Sequence, residues 1–183
     1  MRTMTVHTSL AAVLAVWMAG CSAAGAPRVA MPDATLLDDD GSPGFLDRIA
    51  SAGTVSENDA MRGLLMLMDG QDTCKTFKQR VDNLAARRIV GQTWRFDAAH
   101  PLTKGKLAYM IYQACNVPGG LILTLTGPSQ RYCLRELQYR GMMSEGFGTT
   151  DVSGMEFVAV MTRADSYRRT RAVPDVISGR RRE

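Results

Sequence analysis

Histidine is nearly missing from this chain of 183 residues: His7 and His100 are the only two. A zinc site of the His-Glu-x-x-His type needs two imidazoles on one helix face, and none can be built. The four cysteines, Cys21, Cys74, Cys115 and Cys133, contain no Cys-x-x-Cys pair. No Gly-rich loop ends in Gly-Lys-Ser/Thr, and no Gly-x-Ser-x-Gly elbow occurs, so the common phosphate cradle and nucleophile turn are excluded. His100 beside Pro101 reads as a loop histidine facing solvent; pairing with a cysteine is the rarer alternative. The carboxylates Asp82, Glu136, Glu145, Asp151 and Glu156 are scattered, and their sequence spacing marks none as a hydrolytic pair. The expectation is a chain without metal, cofactor or catalytic residue, and so not an enzyme.

Long apolar runs are also scarce. The stretch from Leu107 to Leu125 is broken by Asn116 and Pro118-Gly119-Gly120, and reads as a buried helix followed by an extended segment rather than a membrane span. Charge of one sign is lacking too. Twenty-two Lys and Arg against 18 Asp and Glu leave +4, with Arg180-Arg181-Arg182 near the end and Asp38-Asp39-Asp40 near the start. That balance is too weak to argue for nucleic acid, but it fits an anionic wall polymer or a membrane surface.

The beginning of the chain is informative. Arg2, an apolar core from Leu10 to Met18 and the small residues Ala19-Gly20 before Cys21 make a secretory signal over residues 1–20. Met18-Ala19-Gly20-Cys21 resembles the lipobox of bacterial lipoproteins, with Met18 where Leu is usual. The resemblance implies a mature chain starting at Cys21 and acylated there, with the acyl chains as membrane anchor. Cleavage near Ala24, with Cys21 incidental, is the alternative. Ser22 is not the Asp that marks inner-membrane retention, so the expected location is the cell envelope, at the outer membrane facing the periplasm. Export favours oxidation of thiols. A disulfide between Cys115 and Cys133 is one expectation, and buried free thiols are the other.

Residues 21–44 are rich in Ala, Pro, Gly and Asp and read as a flexible tether. Residues 169–183 read as a basic, disordered tail. Between them, residues 45–168 carry helical patterns with clear caps. Ser56 precedes Ala60, Leu64, Leu67 and Met68 on one stripe, and Gly70 stops that run. Thr103 precedes Leu107, Met110, Ile111 and Ala114. Ser153 precedes Phe157, Met161 and Ala164, with Glu156 completing a capping box. Each cap follows an apolar residue, as Val55-Ser56, Leu102-Thr103 and Val152-Ser153, at intervals of 47 and 50 residues. Each also follows an earlier helical segment: Phe45 to Ala52, Lys75 to Ile89, and Arg131 to Arg140. The pattern is three helix-loop-helix units that bury their apolar faces together. Leu121 to Thr126, rich in apolar residues and closed by Gly127-Pro128, reads as a strand or short extended segment.

The stretch from Val81 to Cys115 carries a second resemblance. A helix, Ile89-Val90, a loop with Phe96, Pro101-Leu102-Thr103 and another helix are similar to an S-layer homology (SLH) module. Arg140-Gly141-Met142-Met143 and Val152 to Phe157 look like a diverged copy, and the unit from Phe45 is more distant. The resemblance implies an all-α, pseudo-three-fold bundle whose grooves bind an anionic wall polysaccharide or peptidoglycan. The family's Thr-Arg-Ala-Glu becomes Thr-Lys104-Gly-Lys106 in the second unit, with Glu57 and Gly154 at the Arg position in the others. Lys104 and Glu156 are therefore the candidate ligand residues that match. Arg88 and Arg140 join them as members of a basic groove with Arg80, Arg87 and Arg135, the alternative being a solvated helix face. Trp94 either stacks on a sugar ring or folds into the core. Two functions follow: a non-enzymatic lipoprotein linking membrane to wall, or a protein–protein interaction module of an envelope assembly.

Overall fold

The computed structural model describes residues 28–29 and 44–172. The expected signal segment, Cys21, most of the expected tether and residues 173–183 lie outside the described residues. The chain is mainly helical. Seven helices are present among the described residues: α1 (Gly44–Ala50), α2 (Glu57–Asp69), α3 (Phe77–Ala86), α4 (Lys104–Ala114), α5 (Leu121–Thr126), α6 (Gln130–Tyr139) and α7 (Gly154–Thr170). Two short strands, β1 (Arg28–Val29) and β2 (Arg95–Phe96), pair in parallel. Residues 28–29 fall inside the expected tether, so part of that segment is held on the domain.

The three expected caps form. Ser56, Thr103 and Ser153 accept from the amides of Asp59, Lys106 and Glu156, each satisfying one donor left over at a helix start. Gly70 ends α2 at φ 79°, a conformation that costs glycine little. Thr76 and Ser129 cap α3 and α6 in the same way. The segment at 121–126 is corrected from strand to helix. Thr124 N–H donates to the Gly120 carbonyl at 3.1 Å, and Gly127 closes the turn. With no strand beside it among the described residues, a local helix is the way these backbone groups find partners.

Successive helix-loop-helix pairs interlock. α2 packs on α3, α4 on α6, and α7 returns to α1. Where the caps meet, Val55 N–H donates to the Val152 carbonyl at 2.9 Å, Val152 N–H to Leu102 at 2.8 Å, and Leu102 N–H to Val55 at 2.8 Å. The apolar residue before each cap thus belongs to a closed ring of backbone hydrogen bonds. All three side chains are buried. Around the ring lies one apolar core, including Phe45, Leu64, Val81, Phe96, Ile111, Leu137 and Phe157.

The Cys115–Cys133 disulfide is not formed. Cys74, Cys115 and Cys133 are free thiols, the latter two buried. Burial pushes Cys115 up to about 11 and Cys133 up to about 12 from the ordinary thiol value of 9.0. In the Cys21→Ser chain at neutral pH, a thiol reagent is expected to label the half-buried Cys74 first and to spare the other two until urea is added. Alkali adds a stability test with a definite sign. Below pH 9.0 both thiols are protonated in folded and unfolded chains alike. Above it the unfolded chain ionises first, so stability falls as pH rises, up to about 11 for Cys115 and about 12 for Cys133. The full expected loss is about 3 kcal/mol for Cys115 and about 4 kcal/mol for Cys133, read from denaturation midpoints in Cys→Ala variants against the parent.

Candidate functional site

The helix starts gathered by the ring carry charge at matching places. The first residues of α2, α4 and α7 are Glu57, Lys104 and Gly154; the third residues are Asp59, Lys106 and Glu156. Two of the three meetings are ion pairs. Lys104 Nζ lies 2.8 Å from Glu156 Oε1. It also donates to Ser144 Oγ and to the Glu145 carbonyl, each at 3.0 Å. Ser144 Oγ donates in turn to Glu156 Oε1. An ammonium has three donors, and those of Lys104 are all engaged in a site where the residue is 6% exposed.

The second meeting reverses the sign. Glu57 Oε1 pairs with Lys106 Nζ, and Glu57 Oε2 accepts from the Asp97 amide at 2.9 Å. Lys106 also donates to the Arg95 carbonyl at 3.2 Å and lies 5.3 Å from the Phe96 ring centroid, within cation–π range. The third meeting has no pair. The Gly154 amide donates to the Ala52 carbonyl at 3.1 Å, and a Cβ at Gly154 would overlap the Ile49 carbonyl oxygen. Asp59 instead accepts from the Ser56 hydroxyl at 2.7 Å.

The free amides at these helix starts are used by neighbouring loops. Glu57 N–H donates to His100 at 2.9 Å, Lys104 N–H to Thr150 at 2.8 Å and Gly105 N–H to Gly148 at 2.9 Å. The helix termini that would otherwise attract an anion are therefore occupied by protein carbonyls. Among the described residues, no group of three or more His, Cys, Asp or Glu side chains is placed to hold a metal ion.

Of the expected ligand residues, the structure brings Lys104 and Glu156 together, as partners of each other. Trp94 is half-buried against the core, edge-on to Tyr109 at 5.0 Å and tilted on Phe96 at 5.9 Å. A Cβ at Gly91 would overlap its indole. Arg88 occupies the left-handed position that ends α3, φ 60°, where α6 has Gly141 at φ 71°. Arg140 is bound to Glu136 Oε1 at 2.7 Å and to the Pro118 carbonyl at 2.8 Å. No protein-family model matches this chain, and no curated protein or solved structure matches it either.

The grouping of Arg80 with a basic groove is corrected: it is 1% exposed. Its Nε donates to Asp72 Oδ2 at 2.5 Å, Nη1 to Asn58 Oδ1 at 2.9 Å and Nη2 to the Cys74 carbonyl at 3.1 Å. Sequence reasoning treated Glu57 and Lys106 as departures from a pattern and missed that they pair. The signal was present, because first and third helix positions 49 residues apart carry opposite charge.

Proposed function

We propose that this chain is a non-enzymatic lipoprotein of the cell envelope. In this reading Cys21 carries the membrane anchor, and a pseudo-three-fold, SLH-like bundle is the binding domain. The observation that carries the reading is the closed ring of Val55, Leu102 and Val152, each accepting from one unit and donating to another. The matching first positions Glu57, Lys104 and Gly154 support it further.

The resemblance implies an anionic wall glycopolymer or peptidoglycan as ligand, which would link membrane to wall. A specific observation favours the second reading, a module that binds a protein of an envelope assembly. The ammonium of Lys104 is already satisfied by Glu156, Ser144 and Glu145. A polymer held there must displace the half-buried Glu156 carboxylate from an ammonium whose three donors already have partners. The arrangement therefore favours the protein partner.

Two measurements decide it. Crosslinking in cells is expected to recover one defined protein. Purified chain from residue 21 onward is expected to stay in the supernatant when isolated wall sacculi are sedimented at low salt. Sedimentation with the sacculi that is lost in Lys104→Gln would reverse the preference in favour of the wall polymer.

A further inference from the structure

Helix α5 presents an apolar face that the core does not use. Leu121, Ile122 and Leu125 are 77%, 55% and 77% exposed, while Leu123 alone of this helix is buried. The helix has no charged residue, and its two hydroxyls are turned onto its own backbone. Thr124 Oγ1 donates to Gly120 at 3.2 Å and Thr126 Oγ1 to Ile122 at 2.8 Å. Such back-bonding hides polar groups in a helix that meets apolar surroundings.

The surface beside α5 has the opposite chemistry. α5 runs back along α6. Arg140, which caps the end of α6, donates to the Pro118 carbonyl, and Gly120 lies against Glu136. Tyr132, Glu136 and Arg140, at four-residue steps, therefore form the flank of α6 toward α5. The next row outward is Arg131, Arg135 and Tyr139, all exposed, with Tyr139 at 90%. Neither Arg131 nor Arg135 forms an ion pair among the described residues.

We infer that this face, α5 with Arg131, Arg135 and Tyr139, lies on the surface of an anionic phospholipid bilayer. Aliphatic side chains enter the acyl boundary, a tyrosine sits at headgroup depth, and the two guanidinium groups meet lipid phosphates. Chain length supports the same occupant, in a step that rests on the anchor proposed at Cys21. β1 at Arg28–Val29 is paired to β2 on the domain. The seven residues from Cys21 to Arg28 reach at most about 25 Å when fully extended. An acylated Cys21 thus holds the domain beside the bilayer, where a weak surface contact is strengthened by proximity.

The test uses the chain from residue 21 onward with Cys21→Ser, which keeps the whole core and removes acylation. It is sedimented with vesicles of phosphatidylglycerol and phosphatidylethanolamine, and with vesicles of phosphatidylcholine alone. Binding is expected to the anionic vesicles, at least tenfold stronger than to the neutral ones, and to weaken with added salt. The Leu121→Ser/Ile122→Ser/Leu125→Ser variant and the Arg131→Gln/Arg135→Gln variant are each expected to lose at least tenfold in binding. Unchanged far-ultraviolet circular dichroism shows that they remain folded. Absence of binding to anionic vesicles, or equal binding by the triple variant, overturns the inference. So does a concentration-dependent dimer that the triple variant abolishes, which would assign the face to a second copy. Membrane fractionation of cells making the wild-type chain or Cys21→Ser tests the anchor separately, so the two failures are distinguishable.

Discussion

Replacing Gly154 by alanine is expected to destabilise the folded chain by about 3 kcal/mol or more, since overpacking against an unyielding neighbour exceeds the usual cost. The atoms in the way are backbone. The new Cβ would overlap the Ile49 carbonyl oxygen and come within 2.8 Å of the Ala52 carbonyl oxygen. A flexible side chain could swing aside, but the end of α1 cannot. α1 holds the core through Phe45 and Ile49. Relief therefore requires α1 and the start of α7 to separate, which breaks the Gly154–Ala52 hydrogen bond and strains the ring at Val152. Urea denaturation measures the loss. Gly53→Ala is the control, because nothing lies within 4 Å of its added Cβ; its change should stay within about 0.5 kcal/mol. Equal effects at the two positions would refute the close approach of α1 to α7.

Arg80→Met is expected to cost about 3–5 kcal/mol, the range for removing one partner of a buried ion pair. The guanidinium ties three places together: Asn58 in the first turn of α2, and Asp72 and Cys74 in the connection to α3. Methionine fills much of the volume, so the loss is electrostatic rather than a cavity. It leaves the Asp72 carboxylate, 4% exposed, without its counter-charge. Adding Asp72→Asn should recover part of the loss, because the stranded charge is then removed as well. The connection from residue 70 to 76 should also become the first site of protease cleavage in Arg80→Met. A double variant no more stable than the single one would show that Asp72 is not the group left uncompensated.

The comparison of α4 with α5 shows how far the sequence can be read. For α4 the cap Thr103, the apolar stripe and the Asn116 stop all lie within the element, so local rules suffice. For α5 they conflict. Leu-Ile-Leu-Thr-Leu-Thr has the apolar, partly β-branched composition of a strand, but strand pairing depends on a neighbour that no local rule supplies. The ligand candidates show the same division. Lys104 and Glu156 were legible as a positive and a negative charge at helix starts. That each serves as the other's partner depends on two starts 50 residues apart meeting edge to edge. Arg80 and Arg87 look alike on a helical wheel. Yet Arg80 is enclosed by Asp72, Asn58 and Cys74, while Arg87 pairs with Asp69 at the surface.

By itself the sequence determined the helical class, the three hydroxyl-capped starts and their near-equal spacing. Caps, stripes and stops act over one or two turns, and their physics is complete within a few residues. Only the tertiary structure decided what those starts do to one another. It closed Val55, Leu102 and Val152 into a ring and reversed the ion pair between Glu57 and Lys106. It also left Gly154 no room for a side chain and turned three aliphatic residues of α5 outward. Those outcomes depend on distances between residues far apart in the chain, which a linear pattern does not contain.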